Sequence, residues 1–293
     1  MKLVFQVNEP VALSVRRIHR QLLRKTVALL QSPTPPADAV HSARKNIKRL
    51  RALLRLVRTG LGESAFHQAN SLLRDVNRSL CDLRDEQALW ETHARLVKHR
   101  KKSCQESCLQ AMAALLQQKS GQQQSLTGCP QAIPAAAAQQ LSLCLLTPLP
   151  LNFTRQNDAV LGICESYQLS RNLYRQCKHS HDVKLMHAWR KRVKDFVYQA
   201  QYLAALYPAV LPPWLDCQTQ LADLLGEYQD LSTLTDWLAQ NRSLSKKGEK
   251  SLYRAMITLI EKEQATLKKS ALKLGDKLFR KKPAEIYQSL AEQ

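Results

Sequence analysis

The chain has 293 residues, enough for one large or two medium domains. Glycine is scarce at 8 residues and aromatics reach only 6%, a mix that favours helices and argues against β-sandwiches, barrels and glycine-loop nucleotide folds. Lysine plus arginine number 44 against 24 acidic residues, a net charge of +20, which points to a polyanionic partner such as nucleic acid, an anionic membrane or polyphosphate.

Helical periodicity predicts an all-α chain. Helices are expected over 9–31, 37–59, 63–80, 83–118, 157–179, 182–207, 213–225, 229–241 and 246–282. Pro33, Pro35 and Pro36 close the first, Gly60 and Gly62 the second, and Pro208, Pro212 and Pro213 interrupt the later run. Asp38 and Asp182 stand where helix N-caps belong. The segment 117–156 differs: it is rich in Gln, Ala and Pro and nearly uncharged, and it is expected as a linker with one short helix over 135–146. The expected division is thus a first helical unit at 1–116, a linker at 117–156 and a second unit at 157–293.

No stretch approaches the ~18 apolar residues of a membrane span, and the N-terminus lacks the pattern of a signal peptide. Eight scattered cysteines without a C-x-x-C pair are expected as reduced, mostly buried thiols of a cytoplasmic protein. Cys104 and Cys108 lie one helical turn apart but have no histidine at metal-ligand spacing, so no metal or other cofactor is expected.

The charge falls in blocks. Residues 1–60 carry 13 basic and 2 acidic residues, residues 61–116 carry 8 and 7, and residues 208–242 carry 1 and 5. The blocks follow an internal repeat. His41, Arg44, Lys45, Ile47, Lys48 and Leu50 align with His187, Arg190, Lys191, Val193, Lys194 and Phe196 in a pattern H-x-x-R-K-x-[IV]-K-x-[LF]. Further on, Leu80, Asp82, Leu83 and Asp85 align with Leu225, Glu227, Tyr228 and Asp230. Two motifs recurring in order and spacing imply two similar helical units.

At about 100° per residue, Arg44, Lys45, Lys48, Arg51 and Arg55 fall on the same side of a helix as His41, while Ala43, Ile47, Leu50, Leu53, Leu54 and Val57 face the other way. His187, Arg190, Lys191 and Lys194 form a shorter stripe opposite Trp189, Val193, Phe196 and Leu203. Like charges at i, i+4 repel, and Asp38 is the one acid between residues 10 and 62. A solvated face would mix signs; these stripes read as anion-binding tracks. His41 and His187 head the stripes among cations that disfavour imidazolium, so both are expected to be neutral until an anion binds; phosphoacceptor and metal-ligand roles lack a second partner nearby. Asp85 and Asp230 are expected to orient the cationic side chains, with Mg²⁺ binding the less favoured use.

At these residues the chain resembles the CHAD family, the conserved-histidine α-helical domain. The VHSARKNIKRLRALLRLV and LMHAWRKRVKDFVYQAQYL segments resemble its paired signature helices and LCDLRDEQAL its second motif. The resemblance spans roughly residues 9–285. It implies two pseudo-twofold-related four-helix bundles whose basic faces line a central cleft or pore, and binding of inorganic polyphosphate, often at polyphosphate granules. By the same resemblance the binding residues are His41, Arg44, Lys45, Lys48, Arg51, Arg55, His187, Arg190, Lys191 and Lys194, with Arg17, Arg20, Arg24 and Arg175 lining the site from the preceding helices. Lysine stands at 45, 48 and 191 where the family commonly has arginine, and Gln229 replaces an expected arginine, which implies weaker binding by the second half. CHAD domains often follow a triphosphate-tunnel domain with an E-x-E-x-K strand; that motif is missing from this sequence.

The expectation is therefore a cytoplasmic polyphosphate-binding module rather than an enzyme. Nucleic-acid binding is the second choice, since no helix-turn-helix, zinc-finger or RRM signature is visible and the stripes carry few aromatics. A metal-dependent phosphohydrolase or phosphotransferase built on His41, His187, Asp85 or Asp230 comes third.

Overall fold

The computed structural model describes residues 3–32, 38–81, 85–99, 106–124, 132–152, 158–180, 182–241 and 250–292, with side chains for all of these except 85, 86, 99 and 119–124. Among the described residues the regular structure is helical throughout, as expected. The helices are α1 (Val11–Gln31), α2 (Ala39–Leu56), α3 (Arg58–Leu61), α4 (Glu63–Ser79), α5 (Asp85–His99), α6 (Glu106–Gln124), α7 (Ala132–Leu146), α8 (Asp158–Lys178), α9 (Val183–Leu203), α10 (Leu211–Gln240), α11 (Lys250–Leu278) and α12 (Pro283–Ala291).

The packing closes two rings of four helices. In the first, α1 packs on α2 and α7, and α4 packs on both α2 and α7. In the second, α8 packs on α9 and α11, and α10 packs on both α9 and α11. The rings meet where α2 lies against α9 and α8. The segment 117–156 is thus more than a connection, because α7 within it is the fourth helix of the first ring. Its Ala137, Ala138 and Leu141 are buried there. The α5–α6 pair, which the sequence assigns to the first unit, packs instead on α10 and α11.

Side-chain capping is confined to a few of the helix starts described. Asp182 caps α9, its carboxylate accepting from the Lys184 backbone amide at 2.8 Å. Asp38 does not cap α2; it accepts from the Ser42 hydroxyl at 2.9 Å. Two expected helices, 213–225 and 229–241, are one continuous α10. Gly226 does not break it, since its packed neighbours supply what its weak helix propensity lacks. The expected long helix over 83–118 is described as separate α5 and α6.

Buried apolar side chains from both rings form one continuous core. In the second ring the core is aromatic: Tyr167, Tyr174, Trp189, Phe196, Trp214 and Phe279 pack with ring centroids 5.3 to 6.3 Å apart. The two rings touch closely at Gly162 of α8, where an added Cβ would run into the Leu56 backbone carbonyl at the end of α2. Backbone cannot swing aside as a side chain can. Gly162→Ala should therefore lower stability by about 1–3 kcal/mol, whereas Gly226→Ala, whose Cβ would meet only the Arg190 side chain at 3.8 Å, should be neutral or mildly stabilising. Thermal unfolding of the two variants separates them; equal midpoints would contradict the close crossing.

Candidate functional site

The two motif helices lie side by side and run antiparallel. The Tyr202 hydroxyl donates to the Arg49 carbonyl at 3.0 Å, the Gln199 amide to the Ala52 carbonyl at 3.2 Å, and Arg55 Nη1 to Asp195 Oδ1 at 3.1 Å. Moving forward along α2 thus means moving backward along α9. This crossing joins the two stripes that the sequence places about 140 residues apart. Arg51, Arg55 and Lys48 from α2 share one surface with His187, Arg190, Lys191 and Lys194 from α9.

The electrostatics show the crowding. Burial, then Arg55, pushes the Arg51 guanidinium down to about 10, against the pull of Asp195. Burial also lowers Arg55, with Asp195 opposing and Arg192 adding to the fall. The Lys191 ammonium is depressed by burial and then by Arg51, Arg192, Arg190 and Arg55, four positive charges from both helices. Lys194 is lowered by burial, with Asp223 opposing and Arg190 and Lys45 reinforcing. Cations held close together, with Arg51, Arg55 and Lys194 partly withdrawn from water, favour a bound anion, since its charge would relieve each of these repulsions.

His187 behaves as its place in the stripe suggests. Burial, Lys191, Arg190 and Lys48 lower its pKa below 6.5, and a hydrogen bond with Gln229 works in the opposite direction. It is therefore neutral at pH 7. The Nδ1 atoms of His41 and His187 are both buried.

The carboxylate that organises the stripe is one that the sequence reading passed over. Asp195 is 8% exposed and sits between Arg55 Nη1 and Arg192 Nη1, each at 3.1 Å. Burial pushes its carboxyl up; Arg55, Arg192, Arg51 and Lys191 pull it down. Arg51 donates from Nε to the Asn70 side-chain oxygen at 3.0 Å, and Asp223 accepts from Lys194 Nζ at 3.3 Å. A signal for Asp195 was present: it stands inside the second signature helix at the position where the first copy has Arg49.

Asp230 does not orient the stripe. It accepts from Arg95 of α5 at 2.6 Å, because α5 packs on α10 and presents its own arginine there. Asp85 opens α5, but its side chain lies outside the described residues. Arg44 is committed to the backbone: its Nη1 donates to the carbonyls of Leu80 and Cys81 at the end of α4, both at 3.0 Å. Its repeat partner Arg190 lies against Gly226, the residue that aligns with Cys81. Arg44 thus braces the end of α4, and Arg190 lies beside the equivalent position of α10. Lys45 is exposed on the α2 face.

The four co-lining arginines do not line the stripe. Arg17 donates to Glu9 Oε2 at 2.6 Å and to the Val4 carbonyl at 2.9 Å, and with Arg20 it faces α7. Arg24 is exposed about two turns further along that same face of α1. Arg175 is exposed on α8, where its charge reaches Tyr167 beside the α11–α12 turn. The reason is geometric. Helices α1 and α8 use their apolar faces to pack on α2 and α9, which leaves these arginines directed away from the crossing.

Among the described residues no group of three or more His, Cys, Asp or Glu side chains is placed to hold a metal ion, and no helix is long and apolar enough to cross a membrane. Cys81, Cys108, Cys144, Cys164, Cys177 and Cys217 carry free thiols; Cys104 lies outside the described residues.

Comparison with curated proteins gives no match. The structure is similar to the crystal structure of the CHAD domain from the plant Ricinus communis, with 17% sequence identity, 93% of this chain and 94% of that chain covered, and a TM-score of 0.53. At that identity the likeness concerns the fold. The sequence profile of the CHAD domain matches residues 14–239, the span that contains both motif helices and the crossing that joins their cations, and the chain belongs to the CHAD family.

Proposed function

We propose that the chain binds inorganic polyphosphate along the cation row shared by α2 and α9. The observation that supports this most directly is Lys191, an exposed side chain whose ammonium is depressed by partial desolvation and by four neighbouring cations. Polyphosphate carries about one charge per phosphate and no bases, so its recognition calls for dense donors on a shaped surface. The row fits that need and offers little for bases to stack on: Tyr198 is buried beneath Arg49, 5.6 Å from the guanidinium to the ring centroid. On this reading the protein is a binding module without chemistry of its own. Its placement in the cytoplasm rests on the scattered cysteines, and its association with polyphosphate granules on the family resemblance.

The test is competition in one assay between long-chain polyphosphate and length-matched duplex and single-stranded DNA, followed by incubation with Mg²⁺ or Mn²⁺. Polyphosphate should win, with no phosphate released. Preference for either DNA would support the nucleic-acid reading, and metal-dependent phosphate release would support the enzymatic one. Affinity should also fall by orders of magnitude between low and moderate salt, as counterions are displaced from many phosphates; duplex DNA provides the reference behaviour. A flat salt response would point to a neutral ligand.

The pH dependence has a definite sign. His187 starts below 6.5 in the free protein, and a polyanion beside it raises that value. Binding then takes up a proton, so affinity should tighten as the pH falls from about 8 to 6 and level off below the free-state pKa. Isotherms for wild type and His187→Gln at fixed ionic strength, with long chains to minimise end-group titration, provide the comparison. If the variant keeps the full wild-type slope, His187 is a packing residue.

A further inference from the structure

The arginines that turn away from the crossing help to form a second feature. Between α1 and α7 runs a groove of about 380 Å³. Leu13, Leu23, Leu145 and Leu149 supply its apolar lining, and Arg16, Arg17 and Arg20 supply the polar one, with His19 beside them. Glu9 is the acid in this lining and is engaged by Arg17, so the groove carries an excess of positive charge. The Nη1 of Arg17 is buried, so the donors that a ligand in the groove can reach are those of the exposed Arg16 and Arg20. His19 is 9% exposed, and burial pushes its pKa down to about 4, so it adds a neutral ring rather than charge. Helix α7 has no charged residue along its length, and its Leu143 and Leu146, with Leu13 of α1, leave apolar surface open to solvent.

We infer that this groove binds a small amphipathic monoanion, a medium-chain carboxylate whose head meets the arginines and whose tail lies along the leucines. Each part of the lining excludes an alternative. A bare phosphate leaves the leucines uncovered, and a neutral lipid leaves the Arg16 and Arg20 charges unmatched. A volume of about 380 Å³ lies within the range of roughly 300–1,000 Å³ usual for small-molecule sites.

The experiment is calorimetric titration of the full chain with butanoate, octanoate, decanoate and decanol. Decanoate should bind saturably with a stoichiometry of one, and each added methylene should tighten binding by up to about fourfold. Decanol and butanoate should bind at least tenfold more weakly than decanoate. The double variant Arg16→Gln, Arg20→Gln is exposed and expected to fold, which circular dichroism checks. It should lose at least tenfold in decanoate affinity and keep its polyphosphate affinity. Lys191→Gln should leave decanoate binding unchanged, so failure here is distinguishable from failure of the polyphosphate reading. Absence of saturable decanoate binding overturns the inference. So does decanol binding as tightly, unchanged binding by the double arginine variant, or loss of decanoate binding in Lys191→Gln.

Discussion

Replacing Lys191 by glutamine should weaken polyphosphate binding by about ten- to a hundredfold and at the same time raise the thermal unfolding temperature. Both effects come from one arrangement. Lys191 is exposed on α9, and partial desolvation and repulsion from Arg51, Arg192, Arg190 and Arg55 disfavour its charge. Removing its charge relieves that repulsion in the free protein. In the complex, it removes a charge-assisted contact to phosphate worth about 1.5–3 kcal/mol. Arg51→Gln should weaken binding similarly, with less gain in stability, because the Nε donor to Asn70 at 3.0 Å is lost as well. Arg17→Gln and Arg24→Gln should leave polyphosphate affinity unchanged, since these side chains face away from the row. Isotherms at fixed salt, paired with thermal melts, provide the readout. Comparable affinity losses for Arg17→Gln and Lys191→Gln would place the ligand elsewhere.

Asp195→Ala should destabilise the fold by about 3–5 kcal/mol, the range for removing one partner of a buried ion pair. The carboxylate is 8% exposed and accepts from Arg55 and Arg192, each at 3.1 Å. Without it two guanidiniums face each other with Arg51 and Lys191 nearby. Because Arg55 comes from α2 and Arg192 from α9, the loss also weakens the contact that holds the two rings of helices together. Adding Arg192→Leu to Asp195→Ala should restore part of the stability by removing one stranded charge. Denaturant midpoints for the single and double variants measure the coupling. A cost under 1 kcal/mol for Asp195→Ala would show that solvent already screens the cluster.

The stripes on α2 and α9 were legible because helical periodicity relates residues three and four apart, and a local pattern carries that information. The apolar faces opposite them were legible for the same reason, and Ile47, Leu50, Trp189 and Val193 are all fully buried. The continuity of α10 across Gly226 was less so. Intrinsic propensity marks glycine as a break, and packing can override that preference.

By its own pattern the sequence determined an all-α fold, a repeated motif and a dense set of cations on two amphipathic helices. Only the tertiary structure decided which of those cations act together. Arg17 and Arg51 look alike in sequence, yet one is paired with Glu9 facing α7 and the other stands in the row beside Lys191. Asp230 stands in a repeated motif, yet it holds Arg95, while Asp195, on the second signature helix itself, organises the row. The physical reason is one of range. A helix face is set by residues a turn away, whereas an ion pair needs groups brought to about 3 Å, and here those groups come from helices 140 residues apart that only the antiparallel crossing of α2 and α9 brings together.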